Sequence, residues 1–153
     1  MLKSEVEIGG TTVSSLGRFD EYNNVTSKYI SRVTVDFKTG QQLSHALTWN
    51  WRSGYTDYVT TPDDGTVKLV NADGTLGDYA GSVRQVESYS TIDWQSRFTV
   101  NKNFGVTFGI KNLLDQDPPF SQRTAGGGNQ VGYDGRYASP LGRQFYVVGS
   151  ARF

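Results

Sequence analysis

The chain has no cysteine, only one histidine and a formal net charge of zero over its 153 residues. The absence of cysteine excludes a disulfide framework and thiolate metal sites. Because the charge is balanced and no basic run occurs, we expect no nucleic-acid partner. No apolar run approaches the roughly 18 residues that a membrane helix needs. The first residues also lack the apolar stretch of a secretory signal peptide.

Glycine and aromatic residues are abundant instead, with 18 Gly and 13% Phe, Trp and Tyr. This composition is typical of strands and turns. Apolar and polar residues alternate in five stretches, which predicts an all-β fold built as an antiparallel meander of about five strands. The predicted strands cover residues 29–38, 42–56, 88–101, 104–113 and 142–153.

Each predicted strand has one apolar face without Asp, Glu, Lys or Arg. In the first strand, for example, Val33, Val35 and Phe37 alternate with Arg32 and Asp36. A slip of one residue would carry the charges to the apolar side, so the alternation fixes the register. The sequence therefore predicts a sheet with one apolar and one wet face. The wet face carries Arg32, Arg52, Asp93, Arg97 and Arg152, among other polar residues.

Short and long connections alternate along the chain. Thr39-Gly40 and Asn101-Lys102-Asn103 are tight turns, whereas residues 56–88 and 115–141 are long and polar, as is the leading segment 1–28. In a meander this order collects the short turns at one end of the sheet. Compact soluble domains seldom carry loops of that length. Outer-membrane barrels combine short periplasmic turns with long external loops, so we expect membrane-spanning strands.

The aromatic residues of the strands form two groups. Phe37, Phe104 and Phe153 fall at the short-turn end, and Tyr29, Trp51, Tyr55 and Phe145 fall toward the long loops. Two aromatic belts around an apolar band are what the two interfaces of a bilayer favour. Lipid is therefore the expected partner of the apolar face. A soluble barrel with its apolar face turned inward remains the alternative, because alternation alone does not exclude it.

The C-terminal part carries a series of short motifs. Residues 109–120 read GIKNLLDQDPPF, with Asn112-Leu113-Leu114-Asp115 followed by Pro118-Pro119; further on come Tyr133-Asp134, Gly142-Arg143-Gln144-Phe145 and an aromatic last residue. In this order and spacing they closely resemble the end of TonB-dependent outer-membrane receptors. The upstream pattern LGRFDEYNNVTSKY, a strand, a tight turn and LTWNWRSGYTD also resembles this family, so the resemblance covers almost the whole chain.

The resemblance implies a location in the bacterial outer membrane and a part of a closed barrel of about twenty-two strands. Such receptors import large, scarce nutrients such as iron chelates, cobalamin or oligosaccharides, with energy passed on by the TonB protein. A plug domain, a signal peptide and an energy-coupling box are absent from the sequence. The resemblance therefore implies the C-terminal barrel portion of a receptor, which is not transport-competent alone. Its partners would be the remaining barrel and plug, the TonB system through the missing N-terminal part, and the outer-membrane assembly machinery.

Residue roles follow from these expectations. The five charged residues of the wet face would line the lumen and face the plug. The outward face of the last strand would form the signal that the assembly machinery reads, with Phe145, Val147, Gly149, Ala151 and Phe153. Aromatic rings on external loops can stack on sugars or chelates. The candidates are Tyr58, Tyr79, Tyr89, Tyr133 and Tyr137, for which ordinary loop anchoring is the alternative.

We expect no enzyme activity, no cofactor and no metal site. His45 lies on an apolar face without a ligand-spaced neighbour. Asp63-Asp64-Gly65 and Asn71-Ala72-Asp73-Gly74 lack the distal Glu of a calcium loop and are interpreted as Asx turns. Gly126-Gly127-Gly128 lacks the Lys of a phosphate loop, and the pair Asp115 and Asp117 is interpreted as a strand-ending turn. A small self-contained outer-membrane barrel with a structural or adhesive role, and a soluble lipocalin-like binder, are the competing hypotheses.

Overall fold

The computed structural model describes residues 5–8, 10–14, 16–18, 26–60, 68–121 and 132–152, and all regular structure in these ranges is β. The predicted all-β, antiparallel class is confirmed. The chain divides into two compact units. We call residues 29–52, 88–118 and 139–153 the sheet unit, and residues 1–28, 53–87 and 119–138 the loop unit. The strands are β1 Glu5–Ile8, β2 Thr11–Ser14, β3 Ile30–Thr39, β4 Leu43–Arg52, β5 Tyr55–Thr60, β6 Lys68–Val70, β7 Leu76–Tyr79, β8 Ser82–Val86, β9 Tyr89–Thr99, β10 Phe104–Lys111 and β11 Gln144–Ala151.

The sheet unit is a five-stranded antiparallel sheet with the order β11-β10-β9-β4-β3. Consecutive strands of the meander are neighbours, and no bulge interrupts the register between them. Within the described ranges, β3 and β11 each pair on one side only, so these strands do not close into a barrel. In this part of the chain the sheet therefore has two edge strands, β3 and β11.

Tight turns join the strands at one end of this sheet. After β3 the chain reverses at Gly40, whose φ of 81° is accessible to glycine without a steric penalty. Between β9 and β10 the side chain of Asn101 makes the turn, since its Oδ1 accepts hydrogen bonds from the backbone N–H groups of Asn103 and Phe104 at 2.9 and 3.0 Å. Both turns use the residue types from which they were predicted.

The second predicted strand, 42–56, is shorter in the structure. β4 ends at Arg52, and after Ser53-Gly54 the chain starts β5, which pairs with β8 in the loop unit. The alternation suggested that Tyr55 belongs to an aromatic belt of the sheet. In the structure Tyr55 is instead buried in the loop unit. The alternation continues through Ser53, so polarity alone did not reveal where the sheet ends.

The loop unit contains strands where the sequence predicted long loops at 1–28 and 56–88. Its described residues form three antiparallel pairs, β1 with β2, β5 with β8, and β6 with β7. The turn between β6 and β7 is closed by Asp73, whose Oδ1 accepts hydrogen bonds from the N–H and the hydroxyl of Thr75. These bonds lower the pKa of the Asp73 carboxyl. The predicted Asx turn at residues 71–74 is thus confirmed.

Candidate functional site

The apolar residues of all five sheet strands share one face, because the register aligns them in rows. Val35 pairs with Leu47, Leu47 with Trp94, Trp94 with Ile110, and Ile110 with Phe145. This face is open: Val35 is 58% exposed and Phe145 is 64% exposed. The other exposed members are Val33, Phe37, Trp49, Phe98, Phe104, Val106, Phe108 and Val147. Exposed apolar patches of this extent are typical of interaction surfaces.

An aromatic ladder crosses this face from one edge to the other. Its rings are Phe37, His45, Trp94, Phe108 and Phe145, one from each strand, and adjacent centroids lie 4.9, 6.3, 5.9 and 6.5 Å apart. Offset and edge-on ring pairs at such distances stabilise a structure beyond their area burial. His45 is thus a member of this ladder, between Phe37 and Trp94.

Polar side chains on the apolar face bond to each other across strands. The indole Nε1 of Trp49 donates to Ser90 Oγ at 2.7 Å, and His45 Nδ1 shares a hydrogen bond with Ser96 Oγ. In the hydrocarbon core of a bilayer, a polar group without a hydrogen-bond partner costs several kcal/mol. These pairs therefore suit the face to an environment that offers no hydrogen bonds.

The opposite face of the sheet is polar and more closely packed. Ala46 and Thr48 are buried there, at 6% and 8% exposure. Thr34 and Thr48 share a hydroxyl–hydroxyl bond of 3.0 Å, and the Asn50 amide donates to Asp93 Oδ2 at 2.9 Å. The register puts four of the predicted wet-face residues on this side: Arg32, Arg52, Asp93 and Arg97. Arg152 follows the last residue of β11, and its backbone N–H donates to Asn103 O at 2.9 Å.

Gly109 and Tyr146 form a cross-strand pair on the same polar face. A Cβ at Gly109 would overlap the Tyr146 ring, because the ring lies directly over the glycine. The Tyr146 hydroxyl then donates to Gln95 Oε1 on the far side of β10, at 3.2 Å. The ring covers a position that has no side chain of its own, an arrangement that stabilises glycine-containing strands.

The motif Asn112-Leu113-Leu114-Asp115 ends β10 in a compact turn. Asn112 and Asp115 have positive φ values of 52° and 57°, which Asn and Asp tolerate better than most residues. The Asn112 side chain donates to Gln116 O and accepts from Gln116 N–H, both at 2.9 Å. Asp115 Oδ1 accepts from the N–H of Arg143 at 2.7 Å. The predicted strand-ending turn is confirmed, and the motif has a structural role here.

This turn also fixes the neighbouring strands. The backbone N–H of Asn112 donates to Asp93 Oδ1 at 2.9 Å, and that of Leu113 donates to Ile92 O at 2.7 Å. Asp93, predicted to face a lumen, thus accepts from Asn50 on one side and from Asn112 on the other. The motif joins β9, β10 and the segment before β11 through short bonds.

The five candidate ligand-binding tyrosines have different surroundings. Tyr79 is 45% exposed, and the Lys68 ammonium lies 4.8 Å from its ring centre. Tyr89 donates its hydroxyl to Gln116 O at 3.3 Å, and Tyr133 is half-buried. Tyr137 is buried, so it occupies an anchoring position. The side chain of Tyr58 lies outside the described residues, as does Phe153. Tyr79, Tyr133 and Tyr137 belong to the loop unit, and Tyr89 belongs to the sheet unit.

A buried polar cluster in the loop unit was not predicted. Tyr55 donates its hydroxyl to Ser121 Oγ at 3.3 Å, and Ser121 in turn donates to both carboxylate oxygens of Asp57 at 3.2 Å. The Tyr137 ring meets the Tyr55 ring edge-on at 4.8 Å. The Tyr137 hydroxyl contacts Ser53 O and Glu87 O, each at 3.0 Å. Only the tyrosines and the Tyr133-Asp134 motif gave a sequence signal for this cluster.

The pKa of Tyr55 is raised well above its ordinary value of 10.0, chiefly by burial, with further contributions from Asp134 and Asp57. The neutral phenol is therefore favoured in the folded state. Stability from this group is complete below the unfolded pKa near 10 and is lost as pH rises above it. We expect the free energy of unfolding to fall above about pH 10. Chemical denaturation at several pH values measures this fall, and Tyr55→Phe should make it shallower; an equal fall in both proteins would contradict the assignment.

Two motifs of the sequence analysis have no described structure. Asp63-Asp64-Gly65 and Gly126-Gly127-Gly128 lie outside the described residues. Among the residues that are described, no group of three or more His, Asp or Glu side chains could hold a metal ion. In the same part of the chain no helix is long and apolar enough to cross a bilayer.

Comparison with known proteins gives no match among protein-family models, curated proteins or solved structures. What the geometry defines is an all-β protein with an open antiparallel sheet, apolar on one face and polar on the other.

Proposed function

We propose that the chain is the C-terminal barrel portion of a TonB-dependent outer-membrane receptor for a large, scarce nutrient. One observation carries the proposal: the sheet exposes a continuous apolar face while its polar face is the more closely packed one. A sheet that faces water has the reverse arrangement. A lipid-facing barrel wall alternates apolar-out and polar-in, as this sheet does.

The dimensions of the strands suit a bilayer. β3 and β4 have 10 residues each, and β9 has 11. At about 3.4 Å per residue a ten-residue strand is about 34 Å long, and a tilt of about 40° reduces its height to about 26 Å. The apolar band of an outer-membrane barrel is about 25 Å tall. Phe37 and Phe104 near the tight turns, and Tyr29 and Trp51 near the other end, would then meet the two interfaces.

The two open edges of the sheet indicate the kind of partner. Because β3 and β11 are the first and the fifth strand of an antiparallel sheet, with three strands between them, they run in the same direction. A second copy arranged around a barrel axis would pair with β11 in parallel, whereas outer-membrane barrels are antiparallel. The partner is therefore the remaining barrel of the receptor, and the plug would face Arg32, Arg52, Asp93, Arg97 and Arg152. The chain alone would not transport a nutrient.

The outward side of β11 is the proposed assembly signal. Phe145, Val147, Gly149 and Ala151 lie on the apolar face of this edge strand, in register with β10. With Phe153 they form the aromatic-ended strand that the assembly machinery would bind. The Tyr58, Tyr79, Tyr89 and Tyr133 side chains remain candidates for nutrient contact, and Tyr137 is retained only as an anchor because of its burial.

Two other functions would predict different behaviour. A self-contained adhesive barrel needs at least eight closed strands, and the described sheet has five in an open order. A soluble lipocalin-like binder needs an inward apolar face, whereas Val35, Phe98, Val106 and Val147 are exposed.

An antibody raised against this chain tests the proposal in the cells that make it. We expect the antibody to detect its antigen in the outer-membrane fraction, as a protein much larger than the 16.9 kDa of this chain. The fraction is then probed for binding of an iron chelate, cobalamin and an oligosaccharide. An antigen of 16.9 kDa that dissolves in buffer without detergent would contradict the proposal.

A further inference from the structure

The charges of the chain are unequally divided between its two units. The sheet unit has eight Lys and Arg residues and four Asp, a net charge of +4, whereas the loop unit has seven Lys and Arg and eleven Asp and Glu, a net charge of −4. The net charge of zero for the whole chain therefore includes a basic sheet unit. Such an asymmetry indicates a charged partner, for example a membrane surface.

Three of the cations lie at the tight-turn end of the sheet. Lys38 is the next-to-last residue of β3, Lys102 lies in the turn after β9, and Arg152 follows the last residue of β11. The backbone N–H of Arg152 donates to Asn103 O, and the Asn103 amide donates to Arg152 O, both at 2.9 Å. Arg152 is therefore fixed beside the turn that carries Lys102. We call Lys38, Lys102 and Arg152 the basic rim.

The basic rim has few acidic neighbours. Residues 37–46, 94–110 and 144–153, which form this end of the sheet, contain no Asp or Glu. Asp36 is the nearest acid in β3, and the other three Asp residues of the sheet unit belong to the opposite end. All three rim residues are exposed, and none forms a salt bridge with a described residue. Uncompensated positive charge at a surface attracts an anionic partner.

The basic rim extends across the full width of the sheet, because β3 and β11 are the edge strands and Lys102 lies between them. Phe37 and Phe104 are exposed on the apolar face at the same end. Aromatic rings at headgroup depth, with Lys and Arg next to them, are typical of the boundary between a membrane and water. A planar layer of anionic headgroups matches both the length of the rim and its position beside these rings.

We propose that the basic rim binds the anionic phosphate headgroups of the membrane leaflet on the tight-turn side. Headgroups are within reach only if the apolar face lies against lipid, so this site depends on the proposed function. Lys and Arg side chains extend along apolar surface and place the charged group in the headgroup layer. Each cation near an anionic membrane surface strengthens binding about fivefold, so the three together contribute on the order of a hundredfold at low salt.

Urea unfolding of the full chain in vesicles of two compositions tests this site. One set contains phosphatidylcholine alone, and the other an equal mixture of phosphatidylcholine and phosphatidylglycerol. We expect the folding equilibrium constant of the wild type to be larger in the mixture, and high NaCl to remove this gain by screening. The double variant Lys38→Gln/Lys102→Gln should reduce the gain about 25-fold.

Lys111→Gln/Arg143→Gln is the matched control. It removes two cations from the opposite end of the same sheet, where the N–H of Arg143 bonds to the Asp115 carboxylate. Both double variants remove the same charge from the unfolded chain, so a difference between them reports on the folded state. We expect the control to keep most of the gain, because the acids at that end already balance its cations.

Equal folding constants of the wild type in the two compositions, or equal losses in the two double variants, would overturn the basic rim as a headgroup site. Should Lys38→Gln/Lys102→Gln fail to fold, Lys102→Gln in the exposed turn replaces it: a fivefold loss supports the site, and an unchanged gain overturns it. Brominated acyl chains, which quench tryptophan on contact, separate this result from the proposed function. Quenching without a gain in the mixture rejects the basic rim alone, whereas the absence of quenching rejects both.

Discussion

Val35→Arg should lower the free energy of unfolding from a bilayer by about 2–4 kcal/mol, the cost of a lipid-facing Arg near the bilayer midplane. Val35 lies in the middle of β3 on the apolar face and is 58% exposed. In a water-facing sheet the same substitution at so exposed a position would change stability by no more than about 0.5 kcal/mol. The two environments therefore predict clearly different results for one variant.

Asp36→Arg is the matched control for this experiment. Asp36 is the next residue of β3, is exposed, and points to the polar face opposite Ala46. On a wet lumen wall we expect this substitution to leave stability nearly unchanged. Guanidinium titration of vesicle-bound protein, followed by tryptophan fluorescence, measures both variants. Equally small losses of unfolding free energy in the two variants would contradict a lipid-facing position for Val35.

Asn112→Ala should destabilise the sheet unit by about 2–4 kcal/mol. The substitution removes the two hydrogen bonds to Gln116, each contributing about 0.5–1.5 kcal/mol. The backbone at this position is left-handed, with a φ of 52°. Alanine lacks the polar side chain that lets Asn tolerate this conformation, which costs about 1–2 kcal/mol. Urea unfolding in detergent micelles measures the loss.

Asn112→Gly separates the two contributions. Glycine adopts the left-handed conformation freely but cannot make the bonds, so this variant should be more stable than Asn112→Ala by about 1 kcal/mol. If Asn112→Gly were the less stable of the two, or if Asn112→Ala unfolded like the wild type, the turn motif would not have the structural role that its geometry indicates.

The register of the sheet could be predicted because each strand alternates strictly. Val35, Leu47 and Phe108 fall on one face whatever the connections do, since a slip of one residue would expose Arg32 or Asp36 to the apolar side. The tight turns could be predicted from Gly40 and Asn101, whose residue types suit the turn geometry. These signals are local, so a single sequence contains them.

The buried cluster and the cross-strand pairs could not be predicted in the same way. Tyr55 meets Ser121 across 66 positions, and Trp49 meets Ser90 across 41 positions. Such contacts depend on the path of the long chain segment between the two residues, and no local sequence pattern specifies that path. The strands β5 to β8 were missed because they are short, with three to six residues each, and show no sustained alternation. The β-propensity of single residues depends on their context, so long-range pairing decides the conformation of such short segments.

The most direct test of the central claim uses the three tryptophans, Trp49, Trp51 and Trp94, all of which lie on the apolar face by register. The chain is reconstituted in vesicles whose acyl chains carry bromine, which quenches tryptophan fluorescence on contact. A lipid-facing sheet predicts strong quenching by the brominated chains and weak quenching by aqueous acrylamide. Unquenched fluorescence in brominated lipid together with strong acrylamide quenching would contradict the claim that this face lies against a membrane.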